Sequence, residues 1–357
     1  MRARLLSVFA ASVVMLLVFA DRPLAVTAQG VQPGQATRAA QTTQAGQSGQ
    51  SGQAGQTGQG RPTGRGPALP AATPPDRQAD GAPEYGPAKG TLVIIGGNVS
   101  ETSGLLQKFI QLAGGPSKKF VIIPTNNGNK NADGSIKVYN EETTLAPWKK
   151  RGLTNVVMLH TADKKVADTA EFVKPLLDAD GVWFDGGRQW NCVDSYMGTR
   201  ALDEFRHVLD RGGVIAGSSA GATIQGDYLV RGDTSGPNVM MTKEPDHQHG
   251  FAFLRRSAVD QHINTRLRWD DLDPVITAYP NLLGIGLSED TGIIVTGDRF
   301  EVLGKWKVAV HDNTRVYQPW EKPFYVLSTG DVYNMKTRKV EKYGTGSPVG
   351  RGGGGGF

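Results

Sequence analysis

Val214-Ile215-Ala216-Gly217-Ser218-Ser219-Ala220-Gly221 runs from three apolar residues straight into a cluster of small ones. Gly217, Ser219 and Gly221 fit the spacing G-x-S-x-G, in which a buried strand turns sharply into a helix and lifts one hydroxyl clear of the sheet. Glycine is needed on both sides because a side chain there would collide with the tight backbone or with whatever approaches the hydroxyl. The same turn aims helix N-terminal N–H groups at an oxyanion formed beside the serine. The octapeptide reads as the elbow of a serine hydrolase. The same pattern also arises where a glycine-rich strand end merely packs tightly, so the serine needs partners elsewhere in the chain.

Working outward, apolar runs bounded by turn residues recur at the spacing of an α/β fold. Thr91–Gly96, Phe120–Pro124, Val156–Leu159, Gly181–Phe184 and Val214–Ala216 read as buried parallel strands. Helical patterns separate them. Leu105, Leu106, Phe109, Ile110 and Leu112 follow the first strand, Glu171–Leu177 precedes the fourth, and one long segment from Val193 to Leu209 precedes the elbow. Strands joined by crossover helices imply a mostly parallel sheet whose reactive loops gather at the carboxyl ends of the strands. Three glycine-rich turns lie there: Gly96-Gly97-Asn98, Gly186-Gly187-Arg188 and the elbow. The first lacks the G-x-G-x-x-G spacing of a dinucleotide site. After Asp290 the pattern changes to short strands, Gly292–Thr296, Arg299–Leu303, Lys307–Val310 and Phe324–Leu327, expected to extend or flank the sheet in antiparallel fashion.

The ends of the 357-residue chain look different. Arg2 and Arg4 precede the apolar stretch Leu5–Ala20, and small residues end at Ala28, which reads as a signal peptide over residues 1–28. The apolar run is shorter than the ~20 residues that span a bilayer, so cleavage and export are expected rather than a membrane anchor. Residues 29–88 are Gln, Gly, Ala, Thr and Pro with few large apolar residues. The glycines at 46, 49, 52, 55 and 58 lack the prolines of a collagen helix, so this stretch reads as a flexible linker. Residues 344–357 read as a glycine-rich tail. Residues 89–343 remain for one catalytic domain. Cys192 is the sole cysteine, so no intramolecular disulfide exists, and the net charge of +5 is not gathered into a basic stripe that would bind nucleic acid.

A serine hydroxyl needs a base, and the base needs a group to orient it. Of six histidines, His207 lies in a helical stretch. His247 and His249 sit in Asp-His-Gln-His, without the further ligands a metal site requires, and read as part of a solvated loop. His262 stands apart: it ends a short apolar stretch, Ala-Val-Asp-Gln-His, ahead of Arg266 and Arg268. The acid is Glu289 or its neighbour Asp290, of which an extended backbone can aim only one at the site. The order serine, histidine, acid differs from the serine, acid, histidine order of α/β-hydrolases.

These residues resemble the cyanophycinase/dipeptidase E family of serine peptidases. The resemblance is carried by Gly217–Ala222 (GSSAGA), Phe184–Gln189 (FDGGRQ), Asp260-Gln261-His262 and Gly284–Thr291 (GIGLSEDT), four motifs in the family's order across about residues 90–300. It implies a class I glutamine-amidotransferase-like (flavodoxin-like) three-layer sandwich with added C-terminal strands. It implies a triad of Ser219, His262 and Glu289, and a pocket for a β-aspartyl substrate lined by Gln189, Asp260, Gln261 and Arg266. The N–H groups of Ala220 and Gly187 would form the oxyanion hole, and Arg266 suits a bidentate grip on a carboxylate. No metal or organic cofactor is needed. Two positions depart from the family pattern by reversing charge: Arg188 follows the two glycines where an acid is usual, and Asp271 stands nine residues past the histidine where an arginine is usual. The expected substrate is therefore an acidic or isoaspartyl peptide, with cyanophycin as one candidate. Two alternatives use the same scaffold: an amidase or glutaminase, which would carry cysteine at the elbow, and an exported binding protein without turnover. The segment between Arg231 and Phe253 reads as an insertion exposed to solvent, and the edge strands of the last segment offer a surface on which two subunits could pair.

Overall fold

The computed structural model describes residues 81–345. The expected signal peptide, most of the linker and most of the tail lie outside the described residues. The strands are β1 (Thr91–Ile95), β2 (Lys119–Ile123), β3 (Asn155–Met158), β4 (Gly181–Phe184), β5 (Val214–Ser218), β6 (Ser257–Gln261), β7 (Leu283–Leu287), β8 (Thr291–Thr296), β9 (Arg299–Gly304), β10 (Lys307–His311), β11 (Tyr325–Ser328), β12 (Val332–Asn334) and β13 (Lys339–Lys342). The helices are α1 (Leu105–Leu112), α2 (Glu141–Lys150), α3 (Lys164–Ala167), α4 (Ala170–Val173), α5 (Trp190–Tyr196), α6 (Arg200–Asp210), α7 (Ala220–Thr223) and α8 (Asp273–Ala278).

Nine strands form the main sheet in the order β13-β12-β9-β8-β1-β5-β4-β2-β3. From β1 to β3 every neighbouring pair is parallel, as the apolar runs and crossovers predict. From β8 to β13 every pair is antiparallel, so the sheet is mixed and not mostly parallel. The reason is local. The link from β8 to β9 is only Gly297-Asp298, and a two-residue link can only return a strand antiparallel. The remaining strands form a separate four-stranded sheet, β11-β10-β7-β6. Of the late strands, β8 and β9 thus extend the main sheet, whereas β10 leaves it to pair with β7 and β11 pairs with β10.

Alternation along the parallel strands divides the core in two. Leu92, Ile94, Val121, Ile123, Val182, Phe184 and Ile215 face α5, α6 and the second sheet, while Val93, Ile95, Phe120, Ile122, Trp183 and Ala216 face α1 and α2. Strands buried on both faces must be apolar at every position, which is why they stand out as continuous runs. The long helical segment expected from Val193 to Leu209 is two helices. Met197-Gly198-Thr199 separates α5 from α6, and Gly198 takes the left-handed backbone (φ +74°) that ends a helix. Helix α6 then turns Ala201, Leu202, Phe205, Val208 and Leu209 inward and leaves Asp203, His207 and Asp210 to solvent.

The folded part begins earlier than residue 89. Tyr85 is buried, Gly86 N–H donates to Gly297 O at 2.9 Å, and the Arg255 guanidinium holds the carbonyls of Pro83, Glu84 and Gly86. The expected insertion after Arg231 is also less exposed than its composition implies, since Arg231, His247, Phe251 and Phe253 are all buried. Among the described residues no helix is long and apolar enough to cross a membrane. Phe205 lies at the centre of the larger core, with its ring 5.0 Å from that of Phe184 and 5.8 Å from that of Tyr196. Phe205→Ala should therefore cost about 3–5 kcal/mol of stability, read as a lower urea midpoint at unchanged slope.

Candidate active site

The elbow is built as its glycines require. Ser219 follows β5 with φ +58° and ψ −118°, a conformation that costs a non-glycine residue free energy, and α7 starts at the next residue. A Cβ on Gly217 would lie 2.2 Å from Gly221 O, and one on Gly221 would lie 2.1 Å from Phe184 O, so neither position can carry a side chain. Ser219 is half-buried.

The end of β1 brings the other groups to it. Ile95 O accepts from Ser219 N–H (3.0 Å), Gly96 O from His262 N–H (2.9 Å) and Gly97 O from Asp290 N–H (2.9 Å). His262 follows β6 and Glu289 follows β7, which are parallel neighbours, so both leave the second sheet at the same end. Ser219 Oγ lies 2.8 Å from His262 Nε2, and His262 Nδ1 lies 2.7 Å from Glu289 Oε1. The second carboxylate oxygen of Glu289 accepts from Asn98 Nδ2 at 3.2 Å, and Asn264 Oδ1 accepts from the Glu289 N–H at 2.9 Å. Asp290 points the other way, to the Ser100 N–H and hydroxyl (both 2.6 Å) and to Lys305 (2.7 Å). The extended segment expected there is instead a turn, with Asp290 in the left-handed region (φ +54°), and this turn separates the two acids that sequence alone left as alternatives.

The electrostatics suit a neutral base. Burial holds the His262 imidazole below its ordinary 6.5; the hydrogen bond to Glu289 opposes this, while the positive charges of Arg266 and Arg268 add to it. Burial pushes the Glu289 carboxyl up, but hydrogen bonds from His262, Thr265 and Asn98 outweigh it and hold the group below 4.5. Cys192 lies in α5, fully buried, where desolvation pushes its thiol well above the ordinary range and leaves it no nucleophile.

Two glycine segments shape the space around Ser219 Oγ. A Cβ on Gly186 would lie 3.2 Å from Ser219 Cβ and 3.7 Å from its Oγ. Gly187, at φ +133°, packs against Asn126 O, which also accepts from the Arg188 N–H at 2.7 Å. Asn126 Nδ2 in turn donates to Asp185 O at 2.9 Å. The Ala220 N–H is at the first position of α7, where a helix leaves its donors without intrahelical partners.

The four residues expected to line a pocket fare differently. Arg266 is exposed, and Gln261 is buried with its Oε1 lacking a partner. Gln189 Nε2 is taken by the carbonyls of Val230 (2.7 Å) and Arg231 (2.8 Å), and Asp260 is taken by Arg231 in a bidentate pair of 2.8 and 3.0 Å. Asp271 pairs with the same guanidinium. Arg231, Asn126 and Asn264 belong to no motif, and Asn98 and Arg268, although beside the first glycine turn and the histidine, carried no signal of a role at the site. One signal for Arg231 was present: an acid inside the buried strand β6 requires a cation. His247 is no solvated loop residue, for both ring nitrogens are held, Nδ1 by Glu244 (2.6 Å) and Nε2 by Asp194 (2.8 Å). Among the described residues no group of three metal-binding side chains exists.

A hydroxyl within reach of an imidazole that a carboxylate steadies defines a serine hydrolase. Comparison with known proteins narrows the class. Peptidase family S51 is matched over residues 92–303, more than half of the chain, and the protein belongs to that family of serine-type peptidases. A cyanophycinase of Synechococcus elongatus is 28% identical over 272 residues, 71% of this chain and 81% of the relative. A cyanophycinase of Nostoc sp. (strain PCC 7120 / SAG 25.82 / UTEX 2576) is 27% identical over 274 residues, 71% of this chain and 88% of its own. The crystal structure of a peptidase from an acI-B1 Actinobacterium shares the fold, with a TM-score of 0.51 at 21% identity, covering 69% of this chain and 97% of that one.

An imidazole that takes a proton from Ser219 must be neutral, so in that role His262 should make kcat/KM rise with pH through a midpoint below 6.5 and stay level across neutrality; a midpoint above 6.5 would contradict the buried, arginine-flanked imidazole. Gly97 adds a second test, since a Cβ there would lie 2.2 Å from His262 Cε1. Gly97→Ala should lower kcat by about 100-fold or more, with secondary structure retained by circular dichroism.

Proposed function

We propose that the protein is an exported serine peptidase that hydrolyses β-aspartyl (isoaspartyl) peptide bonds through an acyl-enzyme on Ser219. The observation that carries this reading is the unbroken hydrogen-bond run from Ser219 Oγ through His262 to Glu289. In the first step Ser219 Oγ attacks the amide carbonyl carbon while His262 Nε2 takes its proton. Glu289 holds the imidazole with Nδ1 protonated, so that Nε2 is free to accept. The negative charge that forms on the carbonyl oxygen is received by the N–H groups of Ala220 and Gly187, each such donor being worth about 3–4 kcal/mol in the transition state. The C–N bond then breaks as His262 returns the proton to the leaving amine. Water, deprotonated by the same imidazole, hydrolyses the ester and frees Ser219.

Arg266, exposed four residues past the base, suits the free carboxylate of an aspartyl unit. Cyanophycin is one candidate substrate, since the curated relatives are cyanophycinases. The fold is read as a class I glutamine-amidotransferase-like sandwich, supported by helices on one face of the main sheet and helices with the second sheet on the other. Export is supported by the basic start, apolar stretch and small residues of positions 1–28.

Incubation with β-aspartyl dipeptides, with cyanophycin and with the corresponding α-aspartyl dipeptides tests the reading. Release of amino acid from β-linked but not α-linked peptides is expected, and no release from any β-linked substrate overturns it. Ser219→Ala should abolish turnover and block labelling by a fluorophosphonate. Glu289→Gln should lower kcat by about 10³–10⁴-fold, because the imidazole then loses the partner that fixes its tautomer.

A further inference from the structure

We infer that Arg231 sets the charge preference of this peptidase, making the site select β-aspartyl peptides whose second residue is acidic or neutral and reject those in which it is basic. The inference rests on the β-aspartyl peptidase reading above and adds the class of leaving residue. Arg231 is buried, with a left-handed backbone (φ +56°), and each nitrogen of its guanidinium is engaged. Nε and Nη2 grip the two oxygens of Asp260, Nη2 also meets Asp271, and Nη1 donates to Pro237 O at 2.6 Å. Its own N–H donates to Met240 O, and its carbonyl accepts from Gln189 Nε2, the side chain two residues past Gly187. The Arg231 backbone is therefore held by Gln189, two residues past Gly187, while its guanidinium is held by Asp260 of β6, which leads into His262.

The consequence is a site whose carboxylates are already spent. Asp260 lies two residues before the base and has no exposed side chain, and Asp271 is the half-exposed acid beside it. Arg231 engages both before any substrate arrives, and with Arg266 and Arg268 the group carries three positive charges against two negative ones, so a guanidinium or ammonium group from a substrate meets a net positive surface. The cations nearby are not neutralised to the same degree. Arg268 is buried, and its Nη1 has no hydrogen-bond partner. The charges that act on it are those of Arg231, Asp260, Arg266 and Asp271, two arginines and two acids that Arg231 already holds. An unpartnered buried guanidinium nitrogen is costly until an acceptor reaches it, and it attracts carboxylates while repelling cations. Arg188, exposed beside the two site glycines and stacked over Trp190, carries the same sign.

The experiment compares kcat/KM for β-Asp-Asp, β-Asp-Ala, β-Asp-Lys and β-Asp-Arg with the full-length enzyme and its variants. The unaltered enzyme should favour β-Asp-Asp and β-Asp-Ala over β-Asp-Arg by at least about tenfold, mostly in KM. Arg231→Met frees Asp260 and Asp271 and should move the Arg-to-Asp ratio by at least about tenfold toward the basic peptide. Asp271→Asn leaves Arg231 paired with Asp260 and should move the same ratio the other way, which keeps the test decisive if Arg231→Met does not fold. A preference of the unaltered enzyme for β-Asp-Arg, or a ratio that is the same in all folded variants, overturns the inference while leaving the peptidase reading intact. Hydrolysis of none of the four peptides overturns this inference, and if cyanophycin also stays intact the peptidase reading falls with it.

Discussion

The carbonyl oxygens of Ile95, Gly96 and Gly97 accept hydrogen bonds from Ser219, His262 and Asp290, so one turn at the end of β1 fixes the backbone beneath all three groups of the hydrogen-bonded run. These bonds cross between three separate places: the end of β5 in the main sheet, the end of β6 in the second sheet, and the residue linking Glu289 to β8. The segments arrive from different parts of the fold, and the end of β1 meets all three. This explains the glycines of that turn. Backbone that must receive three strangers at hydrogen-bonding distance has no room for side chains, and at Gly97 the imidazole ring itself fills the space.

Holding the groups this way carries a conformational cost. Among the described residues nine non-glycine positions have positive φ, and four of them, Asn98, Ser219, His262 and Asp290, belong to the turn or the segments it holds. Such conformations cost of order 1–3 kcal/mol each and persist only where the surroundings determine them strongly. The surroundings here are two apolar cores on opposite faces of the parallel strands, with Phe184, Phe205 and Phe251 packed edge to face or stacked just behind the elbow.

Much of this was legible in the sequence, for definite reasons. Strands β1, β2, β4 and β5 are buried on both faces and so read as unbroken apolar runs, and the edge strand β3 keeps the same apolar character although it is only half-buried. The elbow announces itself because its glycines are forced by close backbone contacts. Segment ends at His262 and Glu289 could be seen, but not that β6 and β7 pair with β10 and β11 in a second sheet, because strand pairing depends on contacts distant in sequence. Helix α2 escaped notice since only Leu145 and Trp148 of its ten residues are buried, too few to show a period. Arg231 escaped for another reason. Its partners lie 29 and 40 residues away, and nothing in the local composition distinguishes a guanidinium that will be buried from one that will be solvated.

The pairing of β1 with β5 and β8 has a bearing on when the molecule can act. Strand β1 stands near the start of the described residues, yet its partners begin at Val214 and Thr291, so the turn it carries has nothing to hold until almost the whole domain has been made and closed. Contacts of such long sequence separation form late and cooperatively. A chain still emerging has Ser219 without His262 and Glu289 held beside it. The hydrogen-bonded run of Ser219, His262 and Glu289 therefore exists only in the closed domain, and an incomplete copy of the protein leaves its three members apart.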